Sequence, residues 1–181
     1  KKYRPTLYDL LAHRAIDFFA SETADLTQPA NAFAIDDKKY FAAVSDFIQI
    51  KINTDDTLSN AYNALMIFRE LLQFRLSQNN LDALADADLK RIQYVRGHYF
   101  SKDDSEVLFF DALSRMKTEY VKCPMGAMIN YHLADHYYQK AADKNAAGQF
   151  TMNDALKICN ETIKNYPQSE GAKNCETMKL S

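Results

Sequence analysis

The chain has 181 residues with 22 Lys and Arg, 24 Asp and Glu, and a net charge of −2, which argues against nucleic-acid binding because that calls for a clustered basic face. Only four Gly and four Pro are present, too few for the turns of many short strands, so an all-α fold is expected. No apolar run approaches the about 20 residues needed to span a bilayer, so no transmembrane segment is expected.

Residues 1–53 are predicted to form a helical lead-in with a long loop. Thr6 or Asp9 can cap a helix that ends near Ala20. Residues 22–37 break the helical pattern and are predicted to be a loop, and loops of this length are usually functional or held by their own aromatic residues. The broad apolar surface of the first helix is expected to comprise Leu7, Leu10, Leu11, Ile16, Phe18 and Phe19.

The segment 39–50 is ambiguous. Phe41, Val44 and Phe47 fit a short helix, whereas residues 47–52 would suit a strand. We favour a helix followed by an extended exit. Phe33 and Ile35 are expected to anchor the preceding loop.

Residues 54–181 are predicted to be helical repeats within the same structural domain. Thr54–Thr57 offers capping oxygens and acidic first-turn residues, and the helix that it opens should end at Asn79–Asn80, where Asn tolerates a left-handed cap. The other helices are expected at 82–99, 105–123, 125–142, 152–165 and 168–180, with a polar insertion over 143–150.

One spacing recurs in three of these helices. Ala64-Leu65, Ala112-Leu113 and Ala155-Leu156 are each followed by apolar residues three and seven positions after the Leu, which places them on one helical face. In the last two copies a Pro stands eleven positions after the Leu, at Pro124 and Pro167, and ends the helix. The pattern predicts stacked antiparallel helical hairpins, a tetratricopeptide-like α-solenoid.

Cys159 lies eight residues before Pro167 and Cys175 eight residues after it. In a hairpin that turns at this proline, the two cysteines would face each other at the same height. A disulfide is possible if their Cα atoms come within about 7 Å. Alternatively, both are small buried side chains.

The sequence contains no convincing catalytic site. His132 and His136 could chelate a metal from one helical face, but Leu133 stands where a zinc protease places its Glu, and no third ligand is indicated. No glycine loop for phosphate and no serine or cysteine nucleophile motif is present. We expect neither catalytic residues, nor cofactor, nor bound metal.

Most charged residues are explained as helix termini and exposed faces. Lys38-Lys39 and Lys90-Arg91 are interpreted as solvated helix faces. Five carboxylates that could pair for glycoside hydrolysis are instead assigned to caps and first helical turns, where the helix dipole favours them: Asp86, Asp88, Asp103, Asp104 and Glu106.

Tyr131, His132, Tyr137 and Tyr138 are the candidate binding residues, because they could line the concave, peptide-binding face of a solenoid. The alternative is that these rings fill the gap between hairpins. The Ala-Leu…Tyr…Pro core resembles the tetratricopeptide class, although the Trp and Gly-Tyr of its first helix are absent; the resemblance implies a helical stack that binds or braces protein.

A second resemblance covers most of the chain. Residues 3–15 (YRPTLYDLLAHRA), followed by Asp17-Phe18-Phe19, resemble the helical region ahead of the β-domains of bacterial alpha-2-macroglobulin-like proteins. Segments 30–36, 88–92 and 165–172 continue the match. The thioester motif of that family, Cys-Gly-Glu-Gln, has no counterpart here.

This resemblance implies an extracytoplasmic bacterial protein, in the periplasm or anchored to the outer membrane. The lack of an initiator Met and the uncapped helical pattern of residues 172–180 suggest a fragment of a longer chain. The implied partners are the macroglobulin domains of the parent chain, with other envelope proteins or proteases as further candidates.

Three functions follow as hypotheses. The leading one is a non-catalytic scaffold or protein-interaction region of a large envelope protease-inhibitor protein of this family. The alternative is a stand-alone tetratricopeptide-like module of an envelope lipoprotein that binds peptides or proteins. The third is a metal-dependent enzyme centred on His132 and His136.

Overall fold

The computed structural model describes residues 2–21, 31–142 and 150–180. These residues form α-helices, one short 3₁₀ helix and no strand, so the all-α prediction is confirmed. The α-helices are α1 (Leu7–Ala20), α2 (Val44–Phe47), α3 (Asn60–Ser77), α4 (Leu81–His98), α5 (Lys102–Glu119), α6 (Gly126–Ala142), α7 (Met152–Asn165) and α8 (Glu170–Met178), and the 3₁₀ helix is Lys38–Phe41.

The chain divides into two compact units, Lys1–Phe109 and Phe110–Ser181, with the boundary inside α5. The sequence-based boundary between a lead-in (residues 1–53) and helical repeats (residues 54–181) stays a prediction. Among the helices of the described residues, none is long and apolar enough to cross a membrane.

In the first unit, α1 begins as predicted at Thr6. The Thr6 hydroxyl accepts from the Asp9 N–H at 3.3 Å, and the Asp9 carboxylate accepts from the Thr6 N–H at 2.8 Å, a complete capping box. The predicted apolar surface holds only at Ile16, which is buried, and in part at Phe19, which is half-buried. The face that α1 buries also carries Asp9, Ala12 and His13, while four of the predicted apolar side chains are exposed: Leu7, Leu10, Leu11 and Phe18.

Helices α3 and α4 pack against each other as a hairpin. The first copy of the repeated spacing is buried as predicted, since Ala64, Leu65, Phe68 and Leu72 have no exposed surface. The hairpin turns at Asn79, whose φ of 52° is the expected left-handed conformation.

The start predicted for α3 is wrong. Helix α3 begins at Asn60 with Ser59 as its cap, not at Thr54–Thr57. Asp56 instead accepts a hydrogen bond from the N–H of Phe33 at 3.0 Å, which ties the end of the long loop to this segment.

The loop anchors are described only in part, because residues 22–30 lie outside the described residues. Ile35 is buried, and its carbonyl accepts from the N–H of Phe100 at 2.9 Å. Phe33 is half-buried and meets the rings of Tyr40 and Tyr62 edge-on.

The predicted helix over 39–50 is replaced by two short ones, the 3₁₀ helix and α2. A buried cation accounts for the break: Arg91 of α4 donates to the carbonyls of Tyr40 and Ala42 at 2.6 and 2.8 Å. Those carbonyls point at the guanidinium group, and the chain turns between the two helices. The strand alternative for residues 47–52 is not observed.

The interpretation of Lys90-Arg91 and two of the carboxylates as solvated or capping residues is wrong. Arg91 and Asp88 have fully buried side chains, pair at 2.6 Å and lie in the middle of α4. Asp86 pairs with Arg4 at 2.8 Å, and Lys90 donates to the His13 carbonyl at 3.2 Å. These polar contacts join α4 to the N-terminal segment, where side-chain partners replace solvent.

Asp103 and Asp104 do lie in the first turn of α5, as predicted. Glu106 lies two residues after Asp104 and forms a bidentate pair with Arg96, at 2.6 and 2.9 Å. Its role is therefore a cross-helix contact rather than a cap.

In the second unit, α6 contacts both α7 and α8, and α7 packs on α8. In the second copy of the spacing, all four pattern positions are buried: Ala112, Leu113, Met116 and Tyr120. The third is buried only in part: Ala155 and Cys159 are buried as predicted, but Leu156 is 44% exposed and Ile163 is half-buried. Helix α7 buries Ile158 and Thr162 in addition.

Gly171 decides how closely α8 approaches α6. A Cβ atom at this position would lie 2.3 Å from the carbonyl oxygen of Ala127. Only glycine permits this backbone contact, which brings the first turns of the two helices together.

Candidate functional site: a tyrosine-lined pocket between α6 and α8

A pocket of about 310 Å³ lies between α6 and α8, within the second unit. Tyr131, Asp135 and Tyr138 are spaced by four and three residues, so they share one face of α6. Helix α8 supplies the opposite wall. Its lining residues stand three and four positions after the first of them, a spacing that also keeps them on one side of the helix: Asn174, Thr177 and Met178.

The two helices run in the same direction. Gly171 meets Ala127 at their first turns, and further along Asn174 donates from Nδ2 to the sulfur of Met128 at 3.8 Å. Beyond the close glycine contact, tyrosine rings on α6 face α8, and the pocket opens between them.

One carboxylate, that of Asp135, lines the pocket. Asp135 is half-buried and accepts a hydrogen bond from the amide of Gln139 at 2.9 Å. Burial, and next the negative charge of Asp135, raise the pKa of Tyr131, so its hydroxyl stays protonated at neutral pH. The pocket therefore offers two aromatic faces, one anionic oxygen pair and the amide and hydroxyl of α8.

Behind the pocket wall lie two cysteines. Cys159 of α7 and Cys175 of α8 are 1% and 0% exposed, and the two helices that carry them pack against each other. The Cys159 thiol donates to the sulfur of Met178 at 3.7 Å. Both are free thiols in the structure, and the disulfide stays a prediction.

The predicted groove residues take different places. Tyr131 and Tyr138 line the pocket. Tyr137 packs edge-on against Phe110 and Phe150, with ring centroids 5.6 and 5.2 Å away, which matches the gap-filling alternative. His132 is half-buried with its ring 5.2 Å from that of Tyr131.

His136 belongs to the same aromatic cluster as Tyr137. It is 6% exposed, and its ring lies 5.1 Å from Phe110 and 5.4 Å from Phe150. Across residues 2–21, 31–142 and 150–180, no group of three or more His, Cys, Asp or Glu side chains is arranged to hold a metal ion.

Sequence reasoning found the α6 side of the pocket and missed the α8 side. Asn174, Thr177 and Met178 are polar or flexible residues that carry no motif. The usable signal was their spacing around Cys175, since a helix that buries Cys175 presents positions 174, 177 and 178 beside it.

Comparisons with protein-family models, curated proteins and solved structures found no match.

Proposed function

We propose that the chain is a non-catalytic helical module that binds protein, and that the pocket between α6 and α8 receives a basic side chain of an extended peptide. The observation that carries this proposal is the combination of Tyr131, Tyr138 and Asp135 around one cavity. A Lys or Arg cation is attracted by a tyrosine face within about 6 Å of its centroid and by a carboxylate at the rim.

The size of the pocket supports a single side chain rather than a cofactor. About 310 Å³ is at the lower end of the range of ligand pockets, which is roughly 300–1,000 Å³. Asn174 and Thr177 are suited to hydrogen bonds with the peptide backbone beside the bound side chain.

As the wider setting, we propose the scaffold region of a large envelope alpha-2-macroglobulin-like protease-inhibitor protein, in the periplasm or anchored to the outer membrane. Support comes from the sequence resemblance of residues 3–15 and 165–172 to that family. Its macroglobulin domains, other envelope proteins and proteases are then the candidate partners. Stacking of the hairpins into a tetratricopeptide-like solenoid is part of this proposal.

The alternative is a stand-alone peptide-binding module of tetratricopeptide type from an envelope lipoprotein. One observation favours it: every residue that lines the pocket belongs to the second unit, so the site needs no macroglobulin domain to be complete. Coding sequence beyond Ser181 separates the two settings, because only the first requires several hundred residues of short-strand pattern there.

The experiment is an NMR titration of the ¹⁵N-labelled chain with capped tripeptides, Ac-Ala-Xaa-Ala-NH₂, in which Xaa is Lys, Arg, Glu or Leu. We expect saturable shifts of the Tyr131, Asp135 and Thr177 amides with Lys and Arg only. Asp135→Asn should weaken binding at least about tenfold, the order of a charge-assisted hydrogen bond.

Glu161→Gln is the matched control, because it removes an exposed carboxylate of α7 that does not line the pocket. It should bind the Lys peptide as the unmodified chain does. Equal shifts with Glu and Lys peptides, or full binding by Asp135→Asn, would overturn the proposed pocket function.

A further inference from the structure

The cysteine pair is not used by the proposed binding function. Cys159 and Cys175 are buried on two helices that pack together, and the Cys159 thiol contacts Met178 of the helix that carries Cys175. The third cysteine, Cys123, is buried elsewhere, in the turn before α6, where its thiol donates to the Tyr120 carbonyl at 3.3 Å. The chain thus has two cysteines on the packed helices α7 and α8 and a third in a different part of the second unit.

We propose that Cys159 and Cys175 are oxidised to a disulfide that locks α8 onto α7 and so fixes one wall of the pocket. The two helices already pack against each other, and the Cys159 thiol contacts Met178, three residues after Cys175 on α8. A bond between the two sulfurs therefore needs side-chain rotation within an existing helix pair. The pair closes a loop of about 15 residues, a length at which a cross-link removes substantial entropy from the unfolded chain.

Position and electrostatics together assign the roles of the two sulfurs. The neighbouring Cys175 thiol lowers the pKa of Cys159, burial opposes this effect, and the positive charge of Lys179 adds to it. The Cys159 thiol raises the pKa of Cys175, and burial adds to the rise. Cys159 is also the sulfur that contacts Met178 of the pocket wall, so it is the first nucleophile.

The oxidant is a small or protein disulfide. The Cys159 thiolate attacks one sulfur of that disulfide, forms a mixed disulfide and releases one donor thiolate. Cys175 then loses its proton and attacks the Cys159 sulfur, which forms the Cys159–Cys175 bond and releases the second donor thiolate. The protein loses two electrons and two protons, and the donor disulfide is reduced to two thiols.

Met178 provides the route to Cys159. Its sulfur contacts the Cys159 thiol, its side chain lines the pocket, and it is half-buried. Methionine has three rotatable side-chain bonds, so a rotamer change uncovers the thiol from the pocket side.

The consequence for binding rests on the proposed function. Asn174, Thr177 and Met178 flank Cys175 on α8, so a bond from Cys175 to α7 holds these three side chains in their places. A wall that is fixed before the peptide arrives loses less conformational freedom on binding. The oxidised protein should bind the Lys tripeptide more tightly than the reduced protein.

The test equilibrates the full chain in a glutathione buffer of oxidising ratio, traps free thiols with N-ethylmaleimide in denaturant, and maps peptides by mass spectrometry. We expect alkylation of Cys123 alone and a cross-linked peptide that joins Cys159 to Cys175. Three alkylated cysteines, or a disulfide that includes Cys123, would overturn the proposal.

A thermal melt gives the second measurement. The oxidised chain should melt about 5–10 °C above the chain reduced with dithiothreitol. Cys123→Ser should keep this difference, and both Cys159→Ser and Cys175→Ser should abolish it. An equal melting temperature of oxidised and reduced unmodified chain would overturn the role of the bond in locking α8. Neither the thiol mapping nor the thermal melt involves the peptide, so both test the disulfide even if the proposed pocket function is wrong.

Discussion

The guanidinium group of Arg75 donates a 2.6 Å hydrogen bond to the carboxylate of Asp9, and each of these side chains is 2% exposed. Arg75 reaches across from α3 to the first turn of α1, where it also donates to the Thr6 hydroxyl at 2.9 Å. The same Asp9 oxygen accepts from the Thr6 N–H and hydroxyl. One carboxylate thus caps α1 and neutralises a cation buried under it.

Arg75→Met should lower the free energy of unfolding by about 3–5 kcal/mol, because it leaves the Asp9 charge buried without its cation. Lys39→Met is the matched control, since Lys39 pairs with Asp37 at a similar 2.8 Å but both side chains are more than 40% exposed. Its cost should stay below about 1 kcal/mol. Urea unfolding followed by circular dichroism measures both, and equal losses would contradict the decisive role of burial.

His13 should make stability depend on pH. Burial, and next the positive charges of Arg4 and Lys90, lower its pKa to about 4, against the opposite influence of Asp86 and Asp9. In the unfolded chain the imidazole takes up a proton near pH 6.5. Between these two values the unfolded state binds more protons, so stability is complete above about pH 6.5 and is lost as the pH falls towards 4.

The loss assigned to His13 is about 3 kcal/mol over that window. His13→Asn should flatten the profile between about pH 6.5 and 5, where carboxylates titrate little. Urea unfolding at a series of pH values measures the slope, and an NMR titration of the His13 ring gives its pKa directly. A midpoint near 6.5, or an unchanged slope in His13→Asn, would refute the assignment.

The helices of the repeat region were predictable because their periodicity and caps are local. Asn79 and Asn80 mark the α3–α4 turn in the sequence and in the structure. The face of α1 was not predictable in this way. Hydrophobic periodicity identifies a buried face only from its apolar residues. Asp9 and His13 are buried because they contact Arg75 and Asp86, which are distant in sequence.

The pocket, too, could be predicted from the sequence only in part. The tyrosines of α6 stand out in the sequence as a cluster, so one wall could be proposed from composition alone. The other wall depends on the approach of α8 through Gly171, a tertiary contact that no local pattern encodes.

Helix α1 allows a direct test of which face carries stability. Ile16→Ala should cost about 2–5 kcal/mol, because Ile16 has no exposed surface and its truncation leaves a cavity. Leu11→Ala, on the 55% exposed side of the same helix, should change the free energy of unfolding by no more than about 0.5 kcal/mol. The reverse order in urea unfolding would contradict the burial of Ile16 and the exposure of Leu11.

The packing of α8 on α6 is tested by adding one methyl group. Gly171→Ala places a Cβ within 2.5 Å of three backbone atoms of Ala127 and Met128. Backbone atoms cannot rotate away, so α8 must shift, and we expect a loss of about 1–3 kcal/mol.

Gly97→Ala is the control for the effect of alanine itself. Gly97 also lies in a helix, and a Cβ there meets no atom within 4 Å, so the substitution should stabilise by about 0.5–1 kcal/mol through helix propensity. Opposite signs in urea unfolding would establish that close contact with α6, and not an intrinsic effect of alanine, sets the position of α8. The displaced α8 should also widen the pocket and weaken binding of the Lys tripeptide in Gly171→Ala, while Gly97→Ala leaves that binding unchanged.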